Sequence, residues 1–128
     1  LDFADNTVYY INCGTPALLL YNRSYNNVIE IQGEGHVLGF VKDITPYIKV
    51  KKTQLKPGDI LVTCTDGLVD AHSLRGEQFG KDRVQKLIME NTMLTADKIA
   101  EALYGKLVEF VSKELEDDVS ILAIKFLR

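Results

Sequence analysis

The chain has 128 residues, which is the size of one domain with a sizeable core. Hydrophobic residues make up 46% and charged residues 26% of the chain, a composition that excludes disordered and fibrous proteins. A net charge of −3 without a basic run argues against nucleic-acid binding, and no apolar stretch approaches the roughly 20 residues that span a bilayer. We therefore expect one cytoplasmic domain over residues 1–128 that contacts neither nucleic acid nor membrane.

The first 71 residues have the pattern of β-strands. A hairpin is predicted between Leu1–Phe3 and Thr7–Asn12, because β-branched and aromatic residues flank Asp5-Asn6. Further strands are expected at residues 17–21, 28–31, 47–55 and 60–65. The last of these is almost continuously apolar, which predicts that both of its faces are buried.

The remaining residues have the pattern of two helices and a closing strand. The first helix is predicted over residues 81–90, and the second from an N-cap at Thr95 to about residues 113–115. The closing strand is predicted over residues 119–126. Strands followed by helices and a final strand indicate an α+β layered fold whose sheets are mostly antiparallel.

The two cysteines, Cys13 and Cys64, lie far apart and outside any spacing typical of a zinc site. They are predicted to be two buried thiols of a cytosolic protein. A disulfide between them is the alternative in an oxidising compartment.

A first acidic position lies at the end of the buried strand, in the segment Thr65–Asp70. Asp66 stands where a carboxylate is costly unless something compensates its charge. The simple interpretation is an Asp-Gly hairpin turn formed with Gly67. No alternating strand follows that turn, which favours a functional role for Asp66.

A second acidic cluster, Glu114–Asp118, precedes the final strand. Its simple interpretation is a solvated helix end. Negative charge at the C-terminal end of a helix is unfavourable by about 0.3–1 kcal/mol per charge, and the acids also repel one another. A bound cation would reverse the sign of both terms, so a metal role is the alternative.

The two acidic positions are predicted to form one site. Residues 60–65 and 119–126 are both strongly apolar, and as neighbouring strands they would bring Asp66 and Asp117 to the same edge of the sheet. A set of carboxylate ligands suits hard ions such as Mg²⁺ or Mn²⁺. Such ions commonly act in phosphoryl chemistry.

Several segments in chain order resemble the metal-dependent protein phosphatases (PPM class), in particular the bacterial SpoIIE-like and RsbU-like serine phosphatases. The main one is Leu55–Ala71, which contains Pro-Gly-Asp and Thr-Asp-Gly. The others are Asn12–Pro16, Val37–Gly39, Glu77–Val84 and Glu116–Leu122. The resemblance implies a sandwich of two antiparallel sheets flanked by helices, here without its N-terminal segment.

The resemblance also implies a metal site with two Mn²⁺ or Mg²⁺ ions that hydrolyses phosphoserine or phosphothreonine through a metal-activated water. By match to the family motifs, Asp66 and Asp117 are ligands, while Asp70 and Asp118 are weaker candidates. The loop residues beside these ligands are Gly67, Gly14 and Thr15. No further catalytic side chain is implied.

Two departures from the family pattern affect this hypothesis. Thr15 stands where the family usually has His, and the upstream segment that carries further metal ligands is absent from this sequence. The chain is therefore expected to hold only part of the metal site and to be weakly active or inactive alone.

The resemblance implies a phosphorylated regulatory protein as the substrate, such as an anti-sigma-factor antagonist. It also implies an upstream sensor or regulatory domain in the full-length protein. Two alternatives remain open at the level of sequence. One is a binding module with the same fold and no catalysis; the other is a small α+β domain with an Asp-Gly turn and an acidic helix end.

Overall fold

The computed structural model describes residues 1–11, 17–31, 42–43, 45–47 and 50–127. The predictions made for Cys13, Gly14 and Thr15 lie outside these residues, as do the whole of Asn12–Pro16 and the segment Val37–Gly39. No helix within the described residues is long and apolar enough to cross a membrane.

The chain forms six strands and three α-helices within the described residues. The strands are β1 (Thr7–Tyr10), β2 (Ala17–Asn22), β3 (Asn27–Glu30), β4 (Lys51–Gln54), β5 (Ile60–Cys64) and β6 (Ile121–Lys125). The helices are α1 (Asp66–Val69), α2 (Gly80–Glu90) and α3 (Ala96–Val111), with a 3₁₀ turn at Thr45–Tyr47.

All strand pairs are antiparallel, and they form two sheets. One sheet has four strands in the order β3-β2-β5-β6, and the other consists of β1 and β4. The predicted neighbourhood of the two apolar strands is confirmed: Val62 of β5 lies opposite Ala123 of β6, and Cys64 lies opposite Ile121. The α+β class with antiparallel sheets is also confirmed.

The four-stranded sheet is covered by helices on one face. The buried residues of α3 recur every four positions, as an amphipathic helix requires, and pack with β5 and α2 in the main core. A smaller core, formed by Leu20, Leu55 and Leu61 with Val8 of β1, lies on the other face. The layers are therefore helix, four-stranded sheet and two-stranded sheet. The interior residues of β5, Ile60 and Val62, are fully buried, as its apolar sequence predicts.

The N-terminal hairpin prediction is wrong in its extent. Asp2 and Thr7 form one isolated bridge around a turn in which Asn6 has φ 58°, and β1 pairs instead with β4. Tyr10 instead lies opposite Lys51 of β4.

Several element ends also differ from the prediction. The strand predicted over residues 47–55 begins only at Lys51, after a 3₁₀ turn that contains Pro46. Helix α3 ends at Val111 because Ser112 adopts a left-handed conformation with φ 54°. The final strand is limited to Ile121–Lys125. Asp66 begins the short helix α1 and is not part of a hairpin turn.

Candidate functional site

The end of β5 and the start of β6 are joined beyond the strands themselves. The N–H of Thr65 donates to the carbonyl of Ser120 at 3.1 Å, and the N–H of Ser120 donates to Thr65 Oγ1 at 3.0 Å. These two hydrogen bonds place the segment that starts with Asp66 beside the segment that contains Asp117. The predicted meeting of the two acidic positions at one edge of the sheet is therefore present in the structure.

A cavity of about 340 Å³ lies at this edge. It is bounded by α1, by the residues that follow it and by the segment after α3. Asp66, Asp70 and Asp117 all contribute to its wall, whereas Asp118 is not among the lining residues. The full lining is Asp66, Gly67, Asp70, Ala71, His72, Val111, Lys113, Leu115, Glu116 and Asp117.

Gly67 allows the two acidic segments to approach each other. A Cβ atom added at this position would lie 2.0 Å from the backbone carbonyl oxygen of Asp118 and 3.2 Å from Val119 Cγ2. Real Cβ atoms do not come so close to a carbonyl oxygen, so any other residue at position 67 would push the segments apart. The Asp-Gly pair thus places a carboxylate next to a position that has to lack a side chain.

Helix α1 begins at the candidate ligand Asp66 and is followed at its C-cap by the candidate ligand Asp70. The N–H of Asp70 donates to the carbonyl of Asp66 at 2.8 Å, so the two acids stand four positions apart on a helical turn. Leu68 and Val69, between them, are buried in the main core. The buried pair anchors the helix, and both acids remain exposed at the cavity.

Two cationic or potentially cationic side chains share the cavity with the acids. Lys113 Nζ lies 2.6 Å from Glu116 Oε1, and this hydrogen bond lowers the pKa of Glu116; His72 adds a smaller contribution in the same direction. The sequence analysis missed Lys113. The i, i+3 spacing from Lys113 to Glu116 was the available signal for this pair.

Cys64 lies directly behind the site. Burial raises the pKa of its thiol to about 11, and the negative charge of Asp66 contributes, while Lys81 acts in the opposite direction. The prediction of a buried thiol is confirmed for Cys64, which is free. A neutral thiol is a poor ligand, so the donors at this site are oxygens.

The chemistry of these donors fits Mg²⁺ or Mn²⁺, since carboxylate oxygens suit hard ions. The close approach at Gly67 adds a structural reason for grouping them, because it draws the backbone of Asp118 against α1. Within the described residues, no three His, Cys, Asp or Glu side chains are close enough to hold an ion by themselves. The described carboxylates therefore do not form a complete ion site by themselves.

The sequence matches the family described as Stage II sporulation protein E (SpoIIE) over residues 1–127. Among curated proteins, it is 25% identical over 116 residues to the phosphoserine phosphatase RsbU of Bacillus subtilis (strain 168). That alignment covers 91% of this chain and 34% of RsbU, so the chain spans about a third of the length of this relative.

Solved structures share the fold. The RsbU and RsbW domains of Rv1364c from Mycobacterium tuberculosis match with a TM-score of 0.80 at 21% identity, covering 99% of this chain and 34% of that one. The phosphatase domain of SpoIIE from Bacillus subtilis (Mn presoaked) matches at 0.71 and 17% identity, covering 99% and 54%. The catalytic domain of the serine threonine protein phosphatase PstP, in complex with 2 manganese ions, matches at 0.54 and 14%, covering 94% and 54%. The architecture is thus that of a PPM phosphatase, over part of the domain.

Proposed function

The chain belongs to the SpoIIE family of serine phosphatases, and on this premise we propose that it supplies Asp66 and Asp117 to a two-metal site that hydrolyses phosphoserine or phosphothreonine. The observation that carries the proposal is the antiparallel pairing of β5 with β6. It brings both carboxylates into the wall of one cavity, although 51 positions separate them in the sequence.

Each acid at the cavity has a distinct part in this proposal. Asp66 and Asp117 would hold the ions, and Asp70, one helical turn after Asp66, would hold a further ion more weakly. Asp118 contributes through its backbone, which lies against Gly67. A Mn²⁺ or Mg²⁺ ion bound by such oxygens lowers the pKa of a coordinated water and offsets charge on a phosphate. The 2 manganese ions in the PstP structure and the Mn presoak of the SpoIIE phosphatase domain support this choice of ion.

The remaining wall of the cavity is acidic on balance. It is lined by four acids, one lysine (Lys113) and His72; the acids are Asp66, Asp70, Glu116 and Asp117. The Lys113–Glu116 ion pair compensates one of these acids. Bound cations would therefore have to offset the other carboxylates before the cavity could attract a phosphate ester.

The proposed substrate is a phosphorylated regulatory protein, such as an anti-sigma-factor antagonist, acted on in the cytoplasm. The phosphoserine phosphatase RsbU among the relatives supports this substrate class. The proposed protein context is a longer signalling protein in which a sensor or regulatory domain precedes the phosphatase domain. The share of the relatives that the chain covers supports this context.

The experiment measures Mn²⁺-dependent release of phosphate from a phosphoserine peptide by the full-length protein that contains this chain. Asp66→Asn and Asp117→Asn are expected to abolish release. Asp97→Asn is the matched control, since Asp97 is exposed at the far end of α3, about 20 Å along the helix from Val111 in the cavity wall. Mn²⁺ binding at Asp66 and Asp117 without any turnover would contradict catalysis and favour the binding-module hypothesis.

A further inference from the structure

The residues between α1 and α2 form a closed loop beside the candidate site. The N–H of Phe79 donates to the carbonyl of Ala71 at 2.7 Å, and His72 pairs with Gln78 in an antiparallel bridge. At the tip, the N–H of Ser73 donates to the carbonyl of Glu77 at 2.8 Å. This loop therefore returns the chain to its starting point and brings Gln78 back to the end of α1.

Gln78 contacts a candidate ligand directly. Its Nε2 atom donates to Asp70 Oδ1 at 2.9 Å. An amide donor orients a carboxylate without neutralising its charge, and it leaves the second carboxylate oxygen available. Glu116, across the cavity, shows the contrast: its charge is compensated by Lys113 at 2.6 Å. Asp70 is thus oriented while its negative charge is kept for a cation.

Arg83 of α2 fixes the backbone that carries Gln78. Its Nη1 atom donates to the carbonyls of Gln78 at 2.8 Å and Phe79 at 3.1 Å. Its guanidinium lies 4.4 Å from the centroid of the Phe110 ring on α3, and the Phe79 and Phe110 rings meet edge to face at 5.3 Å. Phe79 is 2% exposed, so this end of the loop is anchored in the core.

We propose that Gln78 is a positioning residue for the Asp70 carboxylate, and that Arg83 positions Gln78 by binding its carbonyl. The first contact acts on the side chain of the acid, and the second acts on the loop that presents the donor. The proposal deepens the proposed function and rests on it in one respect, namely that Asp70 faces a bound cation.

The test compares Gln78→Met with Gln54→Met in the full-length protein. Methionine keeps the length of the side chain and removes the donor. Gln54 is a matched control, because its Nε2 atom also makes one exposed hydrogen bond, to the carbonyl of Asp5 at 3.1 Å, away from the cavity. Loss of a hydrogen bond worth about 1 kcal/mol predicts an approximately fivefold rise in the Mn²⁺ concentration for half-maximal hydrolysis. The rate at saturating Mn²⁺ is expected to stay unchanged, and Gln54→Met is expected to match the wild type.

A second readout does not depend on activity or on metal. Three-bond couplings of the Asp70 β-protons in the metal-free protein report whether this side chain keeps one rotamer. One dominant rotamer in the wild type and averaging in Gln78→Met would support the proposal. The same couplings in both proteins would overturn it, as would an equal rise in the Mn²⁺ requirement for both methionine variants.

The two readouts separate failure of the proposal from failure of the proposed function. If the wild type neither hydrolyses the peptide nor loses amide signals near Asp66 and Asp117 on addition of Mn²⁺, the function proposed above is wrong. The couplings then still decide whether Gln78 orients Asp70. Arg83→Lys keeps the positive charge but loses the forked donor, and it is expected to produce partial averaging of Asp70.

Discussion

Strand β5 has an aspartate beside each of its ends, and the two are held in opposite ways. Asp59, before the strand, is 1% exposed, and its carboxylate accepts hydrogen bonds from the N–H groups of Arg23 at 3.0 Å and Lys56 at 2.9 Å. Asp66, after the strand, is exposed, and within the described residues its carboxylate accepts no hydrogen bond. One strand thus carries a satisfied acid at one end and an uncompensated acid at the other.

The glycines next to these two acids also have different structural roles. Gly58 lies in the turn before Asp59 with φ 93°, and a Cβ there would meet the flexible side chain of Arg23. Gly67 is instead needed for close packing, because the obstacle would be the backbone of Asp118. Gly58-Asp59 builds a turn that stabilises the fold, whereas Asp66-Gly67 brings two acidic segments together at some cost. This difference supports a binding role for Asp66.

The largest effect is expected from neutralising Asp66, which tests whether this acid differs in role from Asp59. Asp66→Asn in the full-length protein is expected to lower Mn²⁺-dependent phosphate release by at least about a hundredfold, since a metal ion contributes several kcal/mol to catalysis. The free energy of unfolding without metal is expected to stay the same or to rise, because repulsion with Asp70 and Asp117 is removed. Urea unfolding and phosphate release measure the two effects. A large loss of stability would instead make Asp66 a structural acid like Asp59.

Neutralising the other acid is expected to give the reverse result. In Asp59→Asn, the amide oxygen still accepts from one of the two buried N–H groups, but the amide nitrogen faces the other. One hydrogen bond to a charged acceptor is therefore lost. The expected loss is about 2–3 kcal/mol in the free energy of unfolding. Activity per folded molecule should be retained, because Asp59 lies at the opposite end of β5 from the cavity. Reduced activity at unchanged stability would remove the distinction between the two ends.

Gly67→Ala tests whether the close backbone approach beside Asp66 is needed for the site. The added Cβ would start 2.0 Å from the Asp118 carbonyl oxygen, so the segments must separate. Forcing an atom into such packing costs about 1–3 kcal/mol. We also expect weaker Mn²⁺ binding, measured by paramagnetic broadening of the amides near Asp66 and Asp117. Gly105→Ala is the control, since a Cβ there meets nothing within 4 Å. Equal effects of both substitutions would contradict a special role for Gly67.

The sequence predicted the elements whose apolar residues form a long or regular pattern. The apolar runs of β5 and β6 predicted their pairing, and that pairing was enough to place Asp66 with Asp117. The spacing of apolar residues likewise predicted α2 and α3 to within a few residues. In each case burial of the apolar side chains decides the local structure, so the periodicity can be read directly.

Other features depend on contacts that no local pattern contains. The partner of β1 is β4, and Tyr10 and its partner Lys51 are 41 positions apart in the sequence. Neither strand carries a signal for the other. Gln78 reaches Asp70 only because its loop closes, and Arg83 reaches that loop only across the turn at Gly80, where φ is 76°. Positioning contacts of this kind require the folded structure.

The smallest expected effect concerns the thiol behind Asp66. Burial raises the pKa of Cys64 from its usual 9.0 to about 11, and the charge of Asp66 adds to the rise. The unfolded chain therefore loses this proton at lower pH than the folded chain does, so the raised pKa makes folding less favourable as the pH rises from 9.0 towards about 11. Below that range both states keep the proton, and Cys64 makes no contribution to pH dependence.

Comparing urea unfolding of the wild type and Cys64→Ala between about pH 7 and pH 10 isolates the contribution of this thiol to the free energy of unfolding, since the two proteins share all other titratable groups. The difference in stability between the two proteins should be constant up to pH 9.0 and then shift in favour of the variant. In Asp66→Asn the shift should begin at the same pH but be smaller, because one of the two causes that raise the thiol pKa is gone. An identical shift with and without the Asp66 charge would show that the acid does not influence the thiol, and would weaken its placement directly in front of Cys64.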